Sequence, residues 1–136
     1  MTAPALMASV SGEVRHGQSA FAAATALRDL GMLNDALSRL YYAAFHHATA
    51  LLLTEGVEPC RHRAMPGLLL THLTSSGFDA TDAARLARLS TYRDMADYER
   101  AFDATKELVD AAFVDAWAFI EKATLCLRNR SMLADP

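Results

Sequence analysis

Residues 34–55 read NDALSRLYYAAFHHATALLLTE, and this stretch decides the fold class. At about 100° per residue, Leu37, Leu40, Tyr41, Ala44, Ala48, Leu51 and Leu52 fall on one face of a helix. Ala43, Ala50 and Leu53 make the other side apolar too. A helix apolar nearly all round is buried on two sides, at the centre of a bundle or against a second subunit. Asn34 or Asp35 is the expected N-cap, and Gly56 with Pro59 stops the helix after Glu55. One strip stays polar: Arg39, Tyr42 and His46 lie within about 60° of one another, opposite the main stripe.

Four further helical patterns flank this one, and no strand alternation competes with them. Upstream, Gln18 to Leu30 is alanine-rich, with Phe21, Ala24 and Leu27 at helical spacing, and Gly31 ends it. Residues 1–17, with a proline and scattered small residues, are expected to be a loosely ordered lead-in. Downstream, Gly56 to Met65 is a loop, and Pro66 suits the first turn of a short helix to about Leu73. Ser75, Ser76 and Gly77 then break the chain. Thr81 or Asp79 caps a fourth helix carrying Leu86, Leu89 and Tyr92, whose end is hidden in the polar run from Arg93 to Arg100. Asp103 is the expected cap of the last helix. There Val109, Phe113, Ala116, Ile120, Ala123 and Leu127 recur at spacings of four, three, four, three and four, a bundle seam. Trp117 and Phe119 lie on or beside that seam and are expected to pack in the core. The expectation is an all-α chain with a single domain over residues 18–130 and a tail at 131–136.

A chain of 136 residues can bury about two thirds of its unfolded surface in one core. Hydrophobic residues at 52% and charged residues at 21% indicate neither disorder nor a membrane protein. The formal charge of -3 supplies no basic footprint, so any contact with RNA or a nucleotide must be local. Cys60 and Cys126 lack metal-ligand spacing and read as reduced thiols. With no secretory pattern at the start and no span-length apolar stretch, the expected location is cytoplasmic.

Few motifs carry chemistry. There is no phosphate-cradling glycine loop and no Ser-His-Asp signature, and no cofactor is expected. Glu13-Val14-Arg15-His16 has the Glu-x-x-His spacing of di-iron bundles, but once, where two copies are required, so no metal is expected. Arg39 offers a fixed fork for phosphate or carboxylate, Tyr42 a hydroxyl or stacking ring, and His46 a proton carrier near neutrality. The same trio also suits a polar seam satisfied between helices or subunits. Arg61-His62-Arg63 is either a phosphate contact or a solvated loop.

The run Ser38-Arg39-Leu40-Tyr41-Tyr42-Ala43-Ala44-Phe45-His46, followed by Leu51-Leu52 and a loop with His62, resembles the central helix of HEPN-domain proteins. Tyr92-Arg93-Asp94-Met95-Ala96-Asp97-Tyr98 is similar to an Arg-x-x-Ala-Asp-Tyr variant in one bacterial and archaeal branch of that superfamily. The resemblance implies an antiparallel bundle of four main helices with a short additional one, usually as a homodimer. It also implies RNA or nucleotide chemistry, since many such domains are metal-independent endoribonucleases, often toxins paired with a small nucleotidyltransferase antitoxin. Their site is an Arg, a polar residue and a His four to six positions beyond: Arg to stabilise the phosphorane, His to move a proton.

Arg93 and Asp94 occupy the first two of those positions, but Asp97 and Tyr98 stand where the His belongs, and no His follows His72. A tyrosine with an ordinary pKa of about 10 is a poor proton shuttle at neutral pH. Arg39 and His46 have a matching spacing but sit on the earlier helix. The expectation is that Arg39, Tyr42 and His46 meet Arg93, Asp94, Asp97 and Tyr98 in one polar cleft, or that the two carboxylates simply neutralise the two arginines. The function that follows is an RNA- or nucleotide-associated module with weak or absent nuclease activity, working beside a nucleotidyltransferase or another defence-system partner. One alternative is an endoribonuclease toxin using Arg93, Asp97 and His46; another is a purely structural protein. Tyr98 also offers a target to a partner transferase, because such enzymes can modify a HEPN tyrosine.

Overall fold

The stretch quoted above forms a helix over Leu33–Thr54 in a computed structural model that describes residues 1–58 and 62–133. The expectations placed on Pro59, Cys60, Arg61 and residues 134–136 lie outside the described residues. In chain order the helices are α1 (Ala3–Asp29), α2 (Leu33–Thr54), α3 (Met65–Leu73), α4 (Ala80–Tyr98) and α5 (Lys106–Asn129). The four long ones form an antiparallel bundle, α3 is the short addition, and no strand occurs among the described residues.

α2 is the central element. It packs against all four other helices, and Ala36, Leu37, Leu40, Ala43, Ala44, Ala48, Ala50, Leu51 and Leu52 have no exposed surface. The alanines let neighbouring backbones come close, while the leucines fill the space between them. α5 supplies the seam read from its spacing, Val109 to Leu127, and α4 supplies Leu86 and Leu89. Phe119 is buried and Phe113 nearly so, but Trp117 is half exposed, with its ring 5.5 Å from Phe21. The expectation of a core Trp117 is therefore corrected: it lies one position past Ala116, off the buried seam.

Three helix starts differ from the sequence reading. α1 begins at Ala3, not near Gln18, so the expected lead-in is helical. Thr2 Oγ1 accepts from the Ala5 amide at 3.2 Å, and Pro4 sits in the first turn, where its missing N–H costs nothing. Leu6, Val10, Val14 and Gly17 then lay a stripe on the core, which outweighs the poor propensity of Ser11 and Gly12. α2 has no side-chain cap. Asn34 instead donates to the Phe102 carbonyl at 2.9 Å and accepts from the Ala104 amide at 2.8 Å, pinning the α4–α5 connection. α5 is capped by Thr105, which accepts from the Leu108 amide, and not by Asp103. For α4, Asp79 is the cap, in a reciprocal box with Asp82.

α1 and α2 lie in close contact at Gly17. A Cβ there would stand 2.5 Å from Nδ1 of His47 and 3.1 Å from the Ala43 carbonyl oxygen. His47 is buried and donates from Nδ1 to that same carbonyl at 2.7 Å. Burial pushes its pKa below the ordinary histidine value, because the charged ring would be cut off from water. Gly17→Ala should destabilise the chain by about 1–3 kcal/mol through overpacking, although alanine is the better helix former. Thermal unfolding checks this, and a raised Tm would count against it. The depressed His47 means the unfolded chain takes up its proton first as pH falls, so stability present above about pH 6.5 should decline toward acid. Urea unfolding across that range should show the decline, and a shallower one in His47→Gln.

Candidate functional site

Arg93 lies on the inner face of α4, near its C-terminal end, and only 9% of it is exposed. Its guanidinium carbon stands 5.1 Å from the centre of the Tyr41 ring and 5.7 Å from those of Tyr42 and Tyr98. Nη1 donates long hydrogen bonds to the Tyr42 hydroxyl at 3.4 Å and the Tyr98 hydroxyl at 3.5 Å. Nη2 is 3.3 Å from Asp94, whose side chain is half exposed. Nε is buried with no partner among the described residues. A guanidinium this dry, boxed by aromatic rings and met by one solvent-facing carboxylate, retains donors for an incoming anion.

Tyr41 links this group to a histidine. It is almost fully buried, and burial pushes its pKa up to about 12, partly offset by the Arg93 charge, so the hydroxyl stays protonated at neutral pH. That hydroxyl is 2.7 Å from Nδ1 of His62. The imidazole stacks on Phe45 with ring centres 4.3 Å apart, so it is held on two sides. Burial pushes the His62 pKa below the ordinary value, the Arg93 charge pushes the same way and Asp94 opposes them. The ring is therefore neutral at pH 7. Nε2 makes no hydrogen bond among the described residues. His62 and Arg93 share a cleft of about 590 Å³ with Arg63, Ser90, Asp94 and Tyr98.

The strip on α2 adjoins this cleft through Tyr42. The Arg39 guanidinium carbon lies 4.7 Å from the centre of the Tyr42 ring, and no carboxylate among the described residues comes within 4.0 Å of it. Asp97 accepts from Ser38 Oγ at 3.2 Å, so of the expected carboxylate–arginine pairs only Asp94 with Arg93 forms. His46 turns toward α1, with Nδ1 2.7 Å from Oε2 of Glu13 and the His16 ring 5.5 Å away. Glu13 thus pairs with His46. Among the described residues, no three His, Cys, Asp or Glu side chains converge as a metal site.

The sequence reading counted Tyr41 as part of the apolar stripe and did not assign its hydroxyl a partner. The available signal was a tyrosine on a buried face preceding a loop with a histidine. A larger cavity, about 800 Å³, opens between α4 and α5 beside Trp117 and Arg128. Of its cations, Lys122 and Arg85 pair with buried Asp82, at 2.5 and 3.3 Å, while Arg128 keeps a buried Nε without a partner among the described residues. The Arg93 cleft is the better candidate despite its smaller size because it alone of the two brings a histidine to its arginine.

Residues 13–126 match the family model described as the HEPN domain. The chain belongs to the HEPN family. It is 30% identical to a UPF0332 protein of Archaeoglobus fulgidus over 70% of this chain and 76% of that one. A UPF0332 protein of Pyrococcus horikoshii is 35% identical over 51% of this chain, and the match spans about half of that relative's length, 49%. A candidate toxin of Methanocaldococcus jannaschii is 29% identical over 79% of this chain and 80% of its own.

The electrostatics of the cleft can be checked directly. By NMR, His62 should titrate below about 6.5, and Asp94→Asn should lower its pKa further by removing the one opposing charge. An unchanged His62 pKa in that variant would place Asp94 too far from the ring to matter.

Proposed function

We propose that this HEPN protein cleaves RNA as a toxin-type endoribonuclease, with His62 as proton carrier and Arg93 as phosphorane stabiliser. The observation that carries the reading is that His62 enters the Arg93 cleft from the α2–α3 connection, held by Tyr41 and Phe45. The histidine absent downstream of Arg93 is thereby replaced from upstream. In the reaction, neutral His62 takes the proton of a ribose 2′-hydroxyl, and the 2′ oxygen attacks the adjacent phosphorus. The bond to the 5′ oxygen breaks, and that oxygen takes a proton from the imidazolium or from water. A 2′,3′-cyclic phosphate and a 5′-hydroxyl result. Arg93 meets the charge on the equatorial oxygens, in a site dry enough for that to count.

Two M. jannaschii relatives described as candidate toxins support the reading. On it, a small nucleotidyltransferase is the expected antitoxin and a homodimer the expected assembly. Exposed Tyr98, beside Arg93, is the residue such a partner would reach. A second reading, binding without cleavage, is favoured by the Asp94–Arg93 ion pair, which already occupies part of the guanidinium.

Purified protein incubated with RNA separates the two. Cleavage should generate cyclic-phosphate ends, and His62→Ala or Arg93→Ala should each lower the rate by about 10²–10⁴-fold. The wild-type rate should rise with pH through a midpoint below about 6.5, as His62 becomes the free base. Inactive wild-type protein that still binds RNA would establish the second reading instead.

A further inference from the structure

We propose that Arg39 forms a second phosphate subsite beside the Arg93 cleft, so that the ligand is a polynucleotide strand held at two neighbouring phosphates. This deepens the RNA reading and rests on it. The two guanidinium groups are gathered on one ring. Arg39 lies over the face of Tyr42, and Arg93 reaches the hydroxyl of the same residue at 3.4 Å. Their guanidinium carbons stand 4.7 and 5.7 Å from that ring's centre, which places them within about 10 Å of each other.

Neither cation is fully answered inside the protein. Arg39 has no carboxylate within 4.0 Å among the described residues, and Asp97 on the facing helix bonds Ser38. Arg93 is nine-tenths buried and keeps Nε without a partner. Two like charges held this close repel, and an anionic strand lying across both relieves the repulsion. Each arginine presents a planar fork suited to two phosphate oxygens, and stacking on aromatic rings fixes both forks before the ligand arrives.

The test uses the full chain and a fluorescein-labelled 2′-O-methyl hexanucleotide, whose blocked 2′ oxygen prevents cleavage. Binding is followed by anisotropy as salt is raised. Arg39→Gln should weaken binding by about tenfold at low salt, the scale of one charge-assisted contact. It should also reduce the slope of log affinity against log salt by about 0.7, one phosphate contact on a single strand. Arg39→Lys should recover most of the slope, and matched thermal unfolding of the three proteins separates these effects from misfolding.

An unchanged salt slope in Arg39→Gln overturns the subsite, as does wild-type protein that fails to bind the hexanucleotide. Absence of any cleavage by wild type, with the slope difference intact, overturns the nuclease reading and leaves the two-phosphate subsite standing.

Discussion

α2 is covered on nearly every side, and that burial constrains the rest of the molecule. A helix in this position can carry polar groups only where two neighbouring helices part. Ser38, Arg39, Tyr42 and His46 lie along that gap, between α1 on one side and α4 on the other. Ser38, Tyr42 and His46 are each met by a residue from the helix they face, Asp97 and Arg93 from α4 and Glu13 from α1, while Arg39 stacks on its own helix's Tyr42. The polar face of the protein's central helix is thus the seam along which its chemistry is gathered.

Desolvation is the common cause of what the groups in that seam do. It holds Tyr41 protonated and His62 neutral, and it strips water from Arg93, whose charge would otherwise be screened. These effects reinforce one another. A neutral imidazole beside a dry cation avoids the repulsion that a charged one would meet, while the protonated phenol can orient the ring without adding charge. The larger cavity at Trp117 differs in this respect, because no histidine lines it and two of its cations, Arg85 and Lys122, pair with Asp82.

The fold was largely legible because its signals are periodic. The α5 seam and the α2 stripe both follow from side chains recurring along one element, and both are buried. The first half of α1 escaped because its local signals conflict. Pro4, Ser11 and Gly12 suggest a weak start, whereas Leu6, Val10 and Val14 show their value only once α2 is there to receive them. Trp117 misled for a related reason, since one position off a seam is enough to turn a large side chain toward solvent. Asn34 misled as a cap because its side chain is used across the chain, on the backbone at Phe102 and Ala104.

The site was less legible, and the limit is geometric. An Arg and a His a few positions apart announce themselves because one helix carries both. A histidine about thirty residues upstream, arriving through a connection, leaves no such pattern. What could be read was the face on α2, the arginine on α4, and the absence of a histidine after it. What could not be read was that Tyr41 is long enough to reach from the core to the edge of that cleft and hold His62 there. With a net charge of -3, the protein has no broad positive field to draw a nucleic acid in. On the proposed RNA reading, recognition would rest on short-range contacts at Arg93 and Arg39, with Asp94 raising the threshold by requiring a ligand to outcompete it. A strand with successive phosphates would meet that threshold by engaging both cations.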